Sequence, residues 1–165
     1  MTSWQSLSLA VHLIASALWL GGIVFFLVVI GPAVQQLDAK IAIKTMNQAR
    51  SGLEIMSWIA IGLILVTGAI SLVARAQVDT APPDATYFYV LAAKLLVFIA
   101  MVVHHCLQVL KYSPAISNLT EQLPLNTVAW PEPLLSHWRR WFLLLKINAG
   151  LGPLAVLLGL ALVKS

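Results

Sequence analysis

Apolar residues gather into four long runs, at about residues 7–30, 55–74, 87–110 and 141–163, and polar residues collect between them. Each run is long enough for a helix that crosses a bilayer, which takes about 20 mostly apolar residues. The apolar–polar alternation of membrane strands is absent, and backbone groups in lipid must be satisfied within the element. The pattern therefore predicts an all-α, integral membrane four-helix bundle, with residues 1–165 forming a single transmembrane domain. The first run reads as a retained helix rather than a cleaved signal peptide. It is too long, has no basic segment before it, and is followed by Gly31-Pro32 instead of a small-residue cleavage site.

Composition fits this picture. The chain is 60% hydrophobic and 10% charged, whereas a soluble domain carries about a quarter charged residues. The net charge of +4 comes without a basic patch interleaved with aromatics, which argues against a nucleic-acid partner. The single cysteine, Cys106, excludes an internal disulfide and any CxxC motif.

Four spans place both termini on one side, together with the loop that holds Arg75, Asp79, Pro82, Pro83 and Asp84. The opposite side carries Lys40, Lys44 and Arg50 in one loop and Lys111, Arg139 and Arg140 in the other. Lysine and arginine accumulate on the cytoplasmic face, so the termini are expected outside, in a bacterial-type inner (plasma) membrane. Pro114, Pro124, Pro131 and Pro133 exclude one continuous helix through the long loop 111–140. Residues 134–141, with His137, Trp138 and two arginines, suggest a short interfacial segment leading into the fourth span.

Ionisable side chains at membrane depth are costly, and so are candidates for function. Here they are His12, Lys94, His104, His105 and Lys146, with Glu54 at a span boundary. His12 lies about 8 Å inside the outer end of its span, and Lys94 lies in the outer half of the third. His104 and His105 fall near the cytoplasmic end, within reach of Glu54, His137 or Lys146. A spacing of seven returns to nearly the same helix face, which aligns His12 with Trp19 and groups Lys94, Met101 and His105. On the fourth span His137, Trp141 and Asn148 align if the helix is unbroken, while Lys146 is expected to extend towards the cytoplasmic interface. Each candidate also has a plain structural reading: a hydrogen-bonded imidazole, a snorkelling lysine, packed Trp19 and Met101, a small apolar Cys106. Arg50 and Glu54 read as a surface i,i+4 pair. Glycines such as Gly21, Gly22, Gly62, Gly68, Gly150, Gly152 and Gly159 suit close helix packing.

The pattern H-x6-W-x-G-G formed by His12, Trp19, Gly21 and Gly22 resembles the first helix of the copper resistance protein D (CopD) family. Gly31-Pro32 and the K-I-N-A-G-L-G stretch at 146–152 fit its short members. The resemblance implies copper handling (uptake, transfer or resistance), with copper ion held by His12, Met101 and His105. The four spans are also similar to the HemJ-type protoporphyrinogen oxidases, which implies haem b and, in that case, a haem-dependent oxidoreductase. Where those proteins carry arginine and tyrosine after the Trp-Gly feature, this chain reads IVFFLVVIGP. Candidate haem contacts are His12, Lys94, His104, His105 and His137. His12 and His105 lie at opposite levels, so a bis-histidine haem would take His104 or His105 with His137 near the cytoplasmic side, whereas His12 would be a sole ligand or partner Lys94. A third reading is a small accessory subunit, bound to a membrane-protein partner or to further copies of itself. The expected partners are thus the lipid bilayer, a metal or haem ligand, and no nucleic acid.

Overall fold

The computed structural model describes residues 3–78, 84–124 and 126–164. It is helical throughout, with no strand among the described residues. The elements are α1 (Ser3–Phe25), a π-helical turn (Phe26–Ile30), α2 (Gly31–Val34), α3 (Ala39–Val78), α4 (Ala85–Leu107), a second π-helical turn (Gln108–Tyr112), α5 (Ser113–Glu121) and α6 (Glu132–Lys164). Four helical rods are long and apolar enough to cross a membrane: Trp4–Val34, Ala39–Gln77, Ala85–Glu121 and Glu132–Leu162. The chain is a multi-pass membrane protein. Asp79, Pro82 and Pro83 lie outside the described residues.

The rods overrun the apolar runs on the side expected to be cytoplasmic. At 40 residues, α3 is about 60 Å long, roughly twice the hydrocarbon thickness. The apolar run 55–74 is therefore the second half of a longer helix that starts at Ala39. Gly31-Pro32 does not stop the first rod, which continues through α2. The loop 111–140 is mostly helix, and among its described residues only 122–124 and 126–131 are not. Proline lacks an N–H that the first helical turn leaves unbonded anyway. Pro114 and Pro133 sit in such first turns, of α5 and α6, so they open helices instead of breaking them. Residues 134–141 are accordingly not a separate interfacial segment but the opening turns of α6.

Buried positions recur every three or four residues, which is how a helix presents one face. On α6 they are Leu134, Trp138, Trp141, Leu145 and Asn148; on α3 they run from Ile43 and Met46 through Arg50, Leu53 and Ser57 to Ile64. α1 packs chiefly on α3, and α4 chiefly on α6. The two pairs meet through α1 and α6 and through α3 and α5. Lipid tails are as apolar as the helices, so tight approach matters more here than exclusion of water. A Cβ on Gly22 would collide with Met56, and one on Gly152 with Leu20, so these two glycines permit the α1–α3 and α1–α6 contacts. Gly21, Gly62 and Gly150 face open space instead, so they do not mediate packing within the bundle.

Outside the spans, Asp84 caps α4. Its carboxylate accepts from the Thr86 amide, and from the Tyr87 amide at 3.3 Å. The Thr86 amide and hydroxyl, then the Tyr87 amide, hold its carboxyl below the usual aspartate range. An anion at this position also suits the positive end of the helix dipole.

Candidate functional site

The polar side chains of the core form two levels, as their depth in the sequence predicts. In the outer level, His12 Nδ1 lies 2.8 Å from Thr67 Oγ1. The Thr67 hydroxyl itself donates to the Leu63 carbonyl at 2.6 Å. With its proton committed there, Thr67 accepts from the histidine, which fixes the proton on Nδ1 and leaves Nε2 as the lone-pair nitrogen. Gly68 faces the ring, and a Cβ there would make only an ordinary contact with His12 Cε1, at 3.8 Å. Ser16 turns back to the His12 carbonyl at 2.8 Å, so its hydroxyl serves the helix backbone. Lys94 lies on the other helix pair, where a Cβ on Gly159 would come within 3.2 Å of Nζ. No hydrogen bond joins His12 to Lys94 among the described residues.

The inner level is larger. A small internal cavity of about 10 Å³ is lined by Glu54, Ser57, His105, Gln108 and Asn148, together with Trp19, Ile23, Leu53, Trp141 and Leu145. All of these are buried. Such a space is close to the smallest that holds one water or one bare ion. His105 is 4% exposed, and its Nε2 has no hydrogen-bond partner among the described residues. Its ring meets Trp58 edge-on at 5.0 Å between centroids and Trp19 at 6.5 Å. Met101 is buried one helical turn towards the outside, on the same face.

Beneath the chamber lies a polar cluster that reading the sequence assigned to the surface. Arg50 is 3% exposed and Glu54 9%. Arg50 Nη1 donates to Glu54 Oε1 at 2.7 Å and Oε2 at 2.8 Å. Nε and Nη2 donate to Asn47 Oδ1, and Nη2 also to Ser117 Oγ at 2.9 Å. Glu54 Oε1 further accepts from the Ser113 hydroxyl and from Trp141 Nε1 at 3.2 Å. Ser113 also lies 2.9 Å from the Gln108 carbonyl, within the second π-helical turn. The pair is neutral as a unit and its hydrogen-bonding groups are met, which is the condition for tolerating buried charge.

The remaining candidates separate. His104 does not face His105's chamber. Its Nδ1 lies 3.1 Å from Asn148 Oδ1, while Asn148 Nδ2 donates to the Met101 carbonyl at 3.1 Å. Asn148 thereby ties α4 to α6. His137 lies beside the Tyr112 ring, 6.3 Å between centroids, with a buried Nδ1 that has no partner among the described residues. It does not line the chamber. Lys146 is exposed, as snorkelling requires, and Cys106 is half-buried. Gln108, whose Nε2 donates to the Trp141 carbonyl at 3.1 Å, was not singled out in sequence. Its signal was the seven-residue spacing from Met101, which continues the buried face of α4.

No group of three or more His, Cys, Asp or Glu side chains able to hold a metal ion occurs among the described residues. The ionisable groups lining the chamber are His105 and Glu54, and Met101 is not among the lining residues. Comparison with protein-family models, curated proteins and solved structures finds no match.

Proposed function

We propose that the protein handles copper in the inner membrane, with Cu(I) as cargo at the centre of the bundle. The observation that carries this reading is His105 Nε2, buried without a partner at a chamber of one-ion size. Cu(I) prefers soft and imidazole donors and accepts low coordination numbers, and Met101 supplies a thioether one turn from His105. Trp19 and Trp58 flank the imidazole and fix its ring. His12 lies about 10 Å farther out along the bundle axis than Trp19. His12 therefore serves as an outer station on a path, and His105 with Met101, one turn away on the same face, as the inner one.

Loading the detergent-purified protein with Cu(I) and competing it against a coloured chelator tests this. The expected result is one bound ion, abolished in His105→Ala and weakened about tenfold or more in Met101→Leu. Retention of full affinity in His105→Ala overturns the reading.

A haem b reading is favoured by one observation, the orientation of His12. Thr67 steers its Nδ1 proton and leaves Nε2 available, the arrangement of imidazoles that ligate metals. The inner chamber is far too small for a macrocycle, which leaves the outer level, with Lys94 on the facing helix pair. Haem there would supply one-electron or porphyrinogen-oxidising chemistry, with His12 as its protein ligand. A Soret band lost in His12→Ala and kept in His105→Ala identifies this alternative. If neither copper nor haem binds, the accessory-subunit reading remains.

The orientation follows from charge. Burial of Arg50 in its ion pair removes it from the topogenic count, yet Lys40, Lys44, Lys111, Arg139 and Arg140 still outnumber Arg75 and Lys164 on the other face. A periplasm-active reporter fused after Ser165 is expected to be active. A silent one reverses the sides.

A further inference from the structure

A second space lies close to the chamber. A groove of about 550 Å³ opens at the cytoplasmic end between α3 and α5, lined by residues that include Lys44, Ser51, Thr120 and Glu121. Arg50 lines the groove and Glu54 lines the chamber. The two spaces are thus separated by the ion pair itself, with Nη1 2.7 Å from Oε1.

The bonds around the pair show how it is held. Asn47 stands on the same helix, and Trp141 belongs to α6. The other two partners, Ser113 on Glu54 and Ser117 on Arg50, both belong to α5. α5 is joined to α4 through the π-helical turn Gln108–Tyr112. Such turns are rare and occur often at functional sites. Gln108, the first residue of that turn, lines the chamber, and its carbonyl is met by the Ser113 hydroxyl. One small rotation of α5 about the turn would withdraw both hydroxyls together.

We infer that the Arg50–Glu54 ion pair is a gate between the cytoplasmic groove and the His105 chamber, latched by Ser113 and Ser117 and hinged at the π-helical turn 108–112. When the latch holds, the chamber is sealed from the groove. When α5 turns, the guanidinium swings into the groove, where water and Glu121 receive it, and the chamber opens to a small solute. The gate deepens the copper reading by giving its cargo a cytoplasmic entrance. It is tested without copper, so either can fail alone.

The test is the rate at which methyl methanethiosulfonate modifies single cysteines in the full chain, in a Cys106→Ala background, read by intact mass. Ser57→Cys reports the chamber, Ser51→Cys the groove and Ala15→Cys a buried position on α1 away from both. With the latch intact, position 57 is expected to react far more slowly than position 51. A hydrogen bond to a charged group is worth enough that losing one raises opening about tenfold. Ser113→Ala and Ser117→Ala, singly, should each accelerate position 57 by about that factor, leaving positions 51 and 15 unchanged. Equal reactivity at 57 and 51 with the latch intact overturns the gate. So does a rate at 57 that ignores both alanine variants, or one that rises only in parallel with position 15, the sign of general unfolding.

Discussion

Arg50→Ala is expected to destabilise the bundle by about 3–5 kcal/mol, the usual cost of leaving one member of a buried ion pair uncompensated. Every N–H direction of the guanidinium is used, on Asn47, Glu54 and Ser117, and the substitution leaves the buried Glu54 carboxylate without its counter-charge. Unfolding in mixed micelles, followed by tryptophan fluorescence, measures the loss. The pair is not thereby shown to stabilise the fold relative to an apolar core. Replacing both members, as Arg50→Met with Glu54→Leu, should recover most of the loss, because charge burial and charge attraction then disappear together. Recovery stays incomplete because Trp141 Nε1 and the Ser113 hydroxyl lose their acceptor. A single variant within about 0.5 kcal/mol of the parent, as for ordinary surface positions, would mean that the pair lies in water.

Trp141 carries the second large effect. Its indole is buried against Phe26, Trp138 and Phe142, with centroids between 5.2 and 5.6 Å, and it also donates to Glu54. Trp141→Ala removes the ring contacts and the donor, and should cost about 3–5 kcal/mol. Trp141→Phe keeps much of the packing and loses the bond to a charged acceptor, for about 1.5–3 kcal/mol. The difference between the two variants separates packing from hydrogen bonding. Equal losses would mean that the bond to Glu54 dominates. No loss in Trp141→Phe would mean that Glu54 has other partners enough.

The membrane architecture was legible because four apolar runs of spanning length leave few alternatives. Helix periodicity also identified the faces that matter: His12 with Trp19, Met101 with His105, Trp141 with Asn148. What escaped was the length of the rods. Reading the second span from about residue 55 put Arg50 and Glu54 outside the packed region, so they seemed a solvated pair. The stripe Ile43, Met46, Leu53 and Ser57 would have exposed the error, since Arg50 falls on the same face. The prolines of the loop do exclude one continuous helix, but only Pro124 and Pro131 fall between α5 and α6. Pro114 and Pro133 lie in first turns, where proline is compatible with the helix it opens. The bridge from Asn148 to His104 and the Met101 carbonyl was not legible at all, because it depends on the approach of two helices whose separation no single-chain pattern records.

The pairing of α1 with α3 and of α4 with α6 bears on biogenesis. Each pair is consecutive in the chain, so each can leave the insertion machinery as a closed hairpin with most of its partners already beside it. Contacts close in sequence form with little loss of chain entropy, and those between the hairpins come afterwards. The junction completed last is the one that holds His105 between Trp19 and Trp58. A cargo or cofactor present during synthesis would thus meet two finished walls before they close around it.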